Sequence, residues 1–289
     1  MIVHIKQILA QAGKGGYGVG AFNTSNLEVT LGIVRAAAEK KSPVIVQISE
    51  STIHYAGLKN IFALIKSIAE TDGKNIPIAV HLDHGKDWDL VKDCVLAGLS
   101  SVHLDASAFS FEKNVRLTKQ AAEFAHKHGV FCQGELGSLI GKEGLVMAEI
   151  PKDPDEYMTD PNRVKEFIKR TGIDTLAVSV GAMHGYFPGK EKVDFPRLKK
   201  IHQAIPRLPL VLHGASGLPN GDVRGAIKTG VRIVNIDTDL RLAFTKALRR
   251  TVKTLPKNFY DPRKVLTPSL LAIQARTKDI IDVTNSGRK

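Results

Sequence analysis

Short runs that are apolar on both faces alternate along this chain with longer stretches whose apolar residues recur at helical spacing. PVIVQI, TLAVSV and LPLVLH are of the first kind, as expected of parallel strands buried on two sides. The pattern predicts strands over residues 17–22, 43–48, 77–82, 101–104, 130–135, 175–180, 208–212 and 231–236. Pro43, Pro77 and Pro209 stand where those strands begin and a missing N–H is tolerated. Helices are predicted over 27–40, 58–70, 88–97, 112–128, 161–171, 194–204, 220–229 and 239–251. Strands that each lead into a helix, repeated in this way, fit an α/β fold of the (β/α)8 TIM-barrel type. An open doubly wound sheet would carry GxGxxG at its first strand–helix turn, and none is present there. The glycine-rich stretch from Gly13 to Gly20 enters the first strand and reads as a turn.

Two segments fall outside the repeat. Residues 138–160 are too long for an ordinary connection and read as a mobile active-site loop. From 255 to 289 a C-terminal extension carries a further helical stretch over 268–281. No second repeat or low-complexity linker interrupts the chain, so residues 1–289 read as a single domain.

Bulk properties narrow the class without naming it. The apolar share of 43% can fill a sizeable core, and no apolar run is long enough to span a membrane. The first residues, MIVHIKQILAQAGKGG, form a short amphipathic stretch without a signal-peptide core, which points to the cytoplasm. Cys94 and Cys132 share no ligand spacing and read as reduced, partly buried thiols. The formal charge of +12 invites a nucleic-acid partner. However, Lys165, Lys169, Arg170, Lys199 and Lys200 fall on solvated helix faces, and no nucleic-acid-binding motif accompanies them. A basic surface that attracts a phosphorylated metabolite fits equally well, so charge alone decides nothing.

The chemistry lies at the C-terminal ends of the predicted strands, the face that carries active sites in barrels. In chain order those ends deliver Asn23, Ser49, Asp83 with His84, Asp105, Glu135, His184, His213, and Asn235 with Asp237. A barrel closed only for stability has no need of such a set. His84, His184 and His213 stand at strand ends, and the last two precede glycine, which lets backbone or ligand come close. Three imidazoles with an open fourth position match a catalytic zinc site. His81 lies three residues before His84, so in a regular strand the two face opposite ways, and an orienting role suits His81 better. His103 alternates with Asp105 and fits the barrel interior. The turns Gly214–Gly217 and Asn235–Thr238 follow the last two strands, the usual phosphate-binding position of this architecture.

At these residues the chain resembles the class II, metal-dependent fructose-bisphosphate and tagatose-bisphosphate aldolases. The resemblance runs through GAFN, SPVIVQIS, HLDHG, GELG, GAMHG, VLHGASG, NIDTD and YDPRK, in this order and over almost the whole chain. It implies a catalytic Zn2+, or another divalent metal, on His84, His184 and His213, with a monovalent cation as a further candidate. It makes Asp83 the acid/base at the hydroxyl of the bond being cleaved and Glu143 the residue that exchanges the proton of the ketose-derived fragment. Asp105 and Glu135 match residues that take a second or displaced metal. Gly185, the turn of Gly214, Ala215 and Ser216, and the turn of Asn235, Ile236, Asp237 and Thr238 would hold the dihydroxyacetone phosphate half, with Asn23 and Ser49 as further contacts. Arg263 matches an arginine that reaches the other phosphate from a neighbouring subunit, which implies a homodimer or homotetramer. An acid at Asp237 favours fructose over tagatose 1,6-bisphosphate as the sugar substrate. Gly134 and the loop sequence GKEGLVMAE depart from the family pattern.

A Schiff-base mechanism would need a lysine at a strand end, and none of the predicted ends carries one. A barrel metallohydrolase would open with His-x-His on the first strand, where this chain has Asn23. Tagatose-bisphosphate aldolase is the nearest rival reading, and a non-catalytic anion-binding role rests on charge alone.

Overall fold

The structure, a computed structural model, describes residues 1–138, 141–146, 157–186 and 191–289, with 141–146 and 184–186 described by their backbone only. Among these residues the strands are β1 Val19–Asn23, β2 Val44–Ser49, β3 Ile78–Gly85, β4 Ser101–Leu104, β5 Phe131–Leu136, β6 Gly141–Val146, β7 Thr175–Val178, β8 His184–Tyr186, β9 Leu210–Leu212 and β10 Val231–Ile236. The helices are α1 Ile5–Gly15, α2 Leu27–Lys40, α3 Glu50–Ala56, α4 Leu58–Thr71, α5 Trp88–Ala97, α6 Phe111–Lys127, α7 Val164–Thr171, α8 Phe195–Ala204, α9 Asn220–Lys228, α10 Thr238–Thr254 and α11 Pro262–Thr284. All strands except β6 and β8 close into one parallel barrel, in the order β1-β10-β9-β7-β5-β4-β3-β2. β6 and β8 pair with each other outside it.

Strand pleating sorts the barrel residues into two cores. One parity of each strand, including Val46, Ile48, Val80, Leu82, Val178, Leu212 and Val234, packs outward against the helices. The other parity turns inward, and its lower positions are small or branched: Val19, Ala21, Ile45, Ala79, Ala177, Val211 and Ile233. Ile5, Ile8, Leu9 and Ala12 of α1 join this inner cluster, so α1 plugs the barrel floor. Toward the C-terminal end of the strands the same parity gives polar side chains, among them Asn23, Ser49, Asp83, Glu135, His213 and Asn235, and these form the mouth.

Several elements differ from the sequence expectation. Gly13 and Gly15 belong to the last turn of α1, and only Gly16, with φ 65°, caps it in the left-handed region. The expected turn is therefore shorter, because α1 runs into it. α3 is an additional helix, capped directly by Ser49 at the end of β2. α11 begins at Pro262, ahead of the expected start at 268. Pro262 occupies the first turn and Asp261 caps it through the Arg263 N–H, while Pro268 lies inside the helix. α11 packs on α2 and α10, and the Gly18 N–H donates to the Thr284 carbonyl at 3.0 Å. The segment from 255 onward is thus part of the helical layer. Most of the expected mobile loop, 138–160, lies outside the described residues.

Candidate active site at the barrel mouth

The end of β3 decides the geometry. A regular strand would send Asp83 and His84 to opposite faces. Instead, the pairing of β3 with β4 jumps from Leu82↔Val102 to Gly85↔Leu104, a bulge that places one extra residue on β3. His84 absorbs it with φ 50°, a left-handed conformation uncommon outside glycine. Both side chains reach the mouth, with His84 Nε2 3.9 Å from Asp83 Oδ1. The strand is therefore not regular at this point, contrary to the assumption that separated His81 from His84 by parity. His81 nevertheless lies deeper, buried, with Nδ1 2.9 Å from the Ser101 hydroxyl.

Around this bulge the expected residues gather. Nδ1 of His84 lies 2.9 Å from Asp105 Oδ2, and its Nε2 lies 2.7 Å from Nδ1 of His213. The Ser107 hydroxyl and N–H donate to Asp105 Oδ1 at 2.7 and 3.1 Å. Asn23 Nδ2 donates to Asp83 Oδ2 at 2.8 Å, and Asn235 Nδ2 approaches Asp83 Oδ1 at 3.4 Å and His213 Nε2 at 3.2 Å. Ser49 faces Asp83 in register across β2 and β3, and its hydroxyl caps α3 through the Thr52 N–H.

Two further residues join that were not singled out as site residues. His103 is fully buried, its ring 5.0 Å from His84 and its Nε2 4.0 Å from Glu135 Oε2. Gln133 is buried and brings its side-chain amide to 2.9 Å from His213 Nε2. Both share strand parity with a named strand-end acid, His103 with Asp105 and Gln133 with Glu135. Counting back by two from each strand end would have found them.

The electrostatics follow from burial and crowding. Burial raises the pKa of Asp83 above the ordinary carboxylate value, although the His84 charge and the Asn23 hydrogen bond pull the other way. Burial and the neighbouring Asp105 push Glu135 up to about 8. Burial would lower His84, but Asp83, the Asp105 hydrogen bond and Glu135 outweigh it and carry His84 up to about 10. Burial opposes ionisation of Asp105 too, yet the His84 hydrogen bond and the charge of His103 hold it far below its usual value. Asp83, Asp105 and Glu135 therefore crowd a space whose balancing charge comes from imidazoles.

This donor set fits a cation. Donor atoms of Asp83, His84, His103 and His213 lie within 4.8 Å of one another, as do those of His84, His103, Asp105 and Glu135. Asn23 Oδ1, Glu135 Oε2, Asn235 Oδ1 and Asp237 Oδ2 are buried acceptors without a hydrogen-bond partner among the described residues. Asp105 on Nδ1 of His84 is the carboxylate–histidine pairing that leaves Nε2 to a metal. The backbone of His184 and Gly185 lies on β8, which pairs with β6, the strand containing Glu143. His184 thus belongs to a small sheet beyond the rim rather than to the end of β7, and the side chains of His184 and Glu143 lie outside the described residues.

The two turns after β9 and β10 come together. Gly214 takes φ 64° with no room for a side chain against the Met183 backbone, and a 3-10 turn over Ala215–Gly217 follows. The Asp239 N–H, in the first turn of α10, donates to the Ser216 hydroxyl at 3.2 Å. Ile236 points into the outer core, so only its backbone is available to a ligand. Thr238 opens α10, and Asp237 accepts from Arg241 Nε at 2.7 Å. Arg263 stands apart on the first turn of α11, its side chain 89% exposed and bound to Asp261.

Comparison with known proteins gives one consistent answer. The family model described as Fructose-bisphosphate aldolase class-II matches residues 3–289. The fructose-bisphosphate aldolase of Geobacillus stearothermophilus is 41% identical over 275 residues, covering 95% of this chain and 93% of that protein. That of Thermus caldophilus is 40% identical over 309 aligned positions, covering 99% of each. Among solved structures, the YdjI aldolase of Escherichia coli K12 superposes with a TM-score of 0.85 at 30% identity, covering 100% of this chain and 99% of that one.

Proposed function

Because this chain belongs to the class II fructose-bisphosphate aldolase family, we propose that it cleaves fructose 1,6-bisphosphate reversibly to dihydroxyacetone phosphate and glyceraldehyde 3-phosphate, in glycolysis and gluconeogenesis. The observation that carries this reading is the bulge that turns Asp83 and His84 into one mouth. It brings the Asp83 carboxylate and the His84 imidazole within 3.9 Å of each other, which in this reading sets a proton acceptor beside a metal ligand, as a metal-assisted retro-aldol cleavage needs.

In this reading His84, His184 and His213 hold a zinc ion, with Asp105 orienting His84 and Gln133 orienting His213. Bound there, the metal supplies an electrophile that draws charge from the substrate carbonyl as the carbon–carbon bond breaks. Asp83 takes the proton of the hydroxyl on the carbon that becomes the aldehyde. Burial holds the carboxyl of Asp83 above its usual range, which suits it to return that proton in the reverse direction. Glu143 exchanges the proton of the three-carbon fragment left behind. Asp105 and Glu135, with His103, form a second cation position beside the first. Gly185, Gly214, Ala215, Ser216, Asn235, Ile236 and Thr238 hold the phosphate of the dihydroxyacetone half through backbone N–H groups and the start of α10. Asn23, Ser49 and Asp237 contact the sugar chain, and Asp237 favours fructose over its tagatose epimer. Exposed Arg263 suits a contact across subunits in a homodimer or homotetramer, and the enzyme is cytoplasmic. No described helix is long and apolar enough to cross a membrane.

A coupled triose-phosphate assay on fructose 1,6-bisphosphate, run with and without EDTA, tests the reading. Activity abolished by EDTA, restored by zinc and insensitive to borohydride is expected. EDTA-resistant cleavage would overturn the mechanism, and a higher kcat/KM on tagatose 1,6-bisphosphate would overturn the sugar assignment.

A further inference from the structure

At the opposite end of the barrel from the mouth, a pocket of about 620 Å³ lies beside α1, where β5, β7, β9 and β10 begin. Lys6 and Lys14 reach it from α1, Arg207 from the α8–β9 connection and Arg232 from β10. The only carboxylate among its described lining residues is Asp174, and that group is already engaged. Its Oδ2 accepts from the Cys132 N–H at 2.8 Å and lies 2.8 Å from His126 Nε2. None of the four cations meets a carboxylate among the described residues. Leu9, Phe131, Ile173 and Leu208 supply an apolar wall.

The backbone fixes Arg232 in place. The pairing of β10 with β9 jumps from Val231↔Leu210 to Ile233↔Val211, so the strand carries one extra residue at Arg232. Its Nη1 donates to the Ile227 and Val231 carbonyls at 2.8 and 2.7 Å, which sets the plane of the guanidinium. Nε and Nη2, the edge that grips a phosphate side-on, make no hydrogen bond among the described residues. Arg170, Arg197 and Arg276, the other half-buried arginines described, each meet a carboxylate. Arg232 does not, and burial pulls its pKa below the ordinary guanidinium value. A bound anion would supply the counter-charge that no described residue gives it.

We propose that this floor pocket binds an organic polyphosphate of the class of a nucleoside triphosphate, with its phosphates on Arg232, Arg207, Lys6 and Lys14 and its organic body on the apolar wall. Cations drawn from three elements suit a chain of phosphates better than a single one, and the wall suits a body that inorganic phosphate lacks. The volume is of the size that such ligands occupy. Because the cations come from both α1 and the barrel, the ligand would tie the plug to its seat. The proposal is independent of the aldolase reading, and either can fail alone.

Equilibrium dialysis of the full-length protein with labelled ATP tests it, with tripolyphosphate, adenosine and inorganic phosphate as competitors. ATP is expected to saturate one site per chain and to raise the thermal midpoint. Arg232→Gln should weaken ATP about ten- to a hundredfold, the effect of one charged hydrogen-bonding partner, and shrink the thermal rise. Lys14→Glu, on the exposed face of α1, should weaken it too, and it answers the question if the first variant fails to fold. Tripolyphosphate should compete less well than ATP, and adenosine and inorganic phosphate less well still. No saturable binding of ATP would overturn the proposal. So would an affinity unchanged in both variants, which would put the ATP elsewhere on the chain. Tripolyphosphate or adenosine competing as well as ATP would overturn the two-part ligand.

Discussion

His81 and His84 lie three residues apart on β3, yet their protons are held very differently. Burial, helped by repulsion from His84, pushes His81 down to about 3, whereas its carboxylate neighbours carry His84 up to about 10. A histidine kept neutral in the fold but protonated in the unfolded chain contributes stability above its unfolded pKa near 6.5, and loses it as pH falls toward 3. Metal-free wild-type protein should therefore lose stability between pH 6.5 and 4 more steeply than His81→Gln. Urea midpoints measured across that range check it, and parallel pH slopes for the two proteins would refute it. The thiols allow a simpler check. Burial, with nearby Asp93, pushes Cys94 up to about 12, and burial with Asp174 raises Cys132 further. Neither should react with a disulfide reagent at pH 8 until the protein is denatured. At this scale much of the candidate site was legible: Asn23, Asp83, Glu135 and Asn235 are strand-end polar residues on the inward parity of their strands. His84 breaks that parity and reaches the mouth through its left-handed backbone, a conformation that no residue type announces.

Among the elements, α2 and α11 show how closely the helical layer is fitted. A Cβ on Gly32 would lie 2.6 Å from Ile273 Cγ2 and 3.0 Å from the Leu270 carbonyl oxygen. Alanine would gain up to about 1 kcal/mol in helix propensity. Overpacking against a backbone atom that cannot swing away costs about 1–3 kcal/mol, so repulsion should win. Gly32→Ala is expected to lower the urea midpoint, by a net loss of up to about 2 kcal/mol, without changing the slope. The barrel strands were readable because burial on both faces leaves continuous apolar runs. The start of α11 was not, because Pro268 looks like a boundary, whereas the helix already has its proline at the first turn and carries the second inside. α3 escaped for another reason. Its seven residues are too few to display a helical period, and Ser49, read as a strand end, also serves as its cap.

For the whole molecule, the C-terminal helix completes the barrel's outer wall. Ile273, Ile280, Ile281 and Val283 are buried against the layer beneath. At about 1.5–3 kcal/mol for each buried side chain, these four are worth roughly 6–12 kcal/mol, comparable to the whole stability of a typical domain. A chain ending at Asp261 should show no cooperative thermal transition, and a sharp transition near the full-length midpoint would contradict this. The alternation of strands and helices made the closed barrel legible. What closes its floor was not, since an amphipathic helix at Ile5–Gly15 does not say which surface it covers. That plug also bears on the order of assembly during synthesis. α1 leaves the ribosome ahead of every strand it seals, yet its seat includes Val211 and Ile233 near the other end of the chain. α1 must therefore wait, with its apolar face uncovered, until those later strands arrive. A chaperone that shields the nascent chain would have its most persistent client surface there.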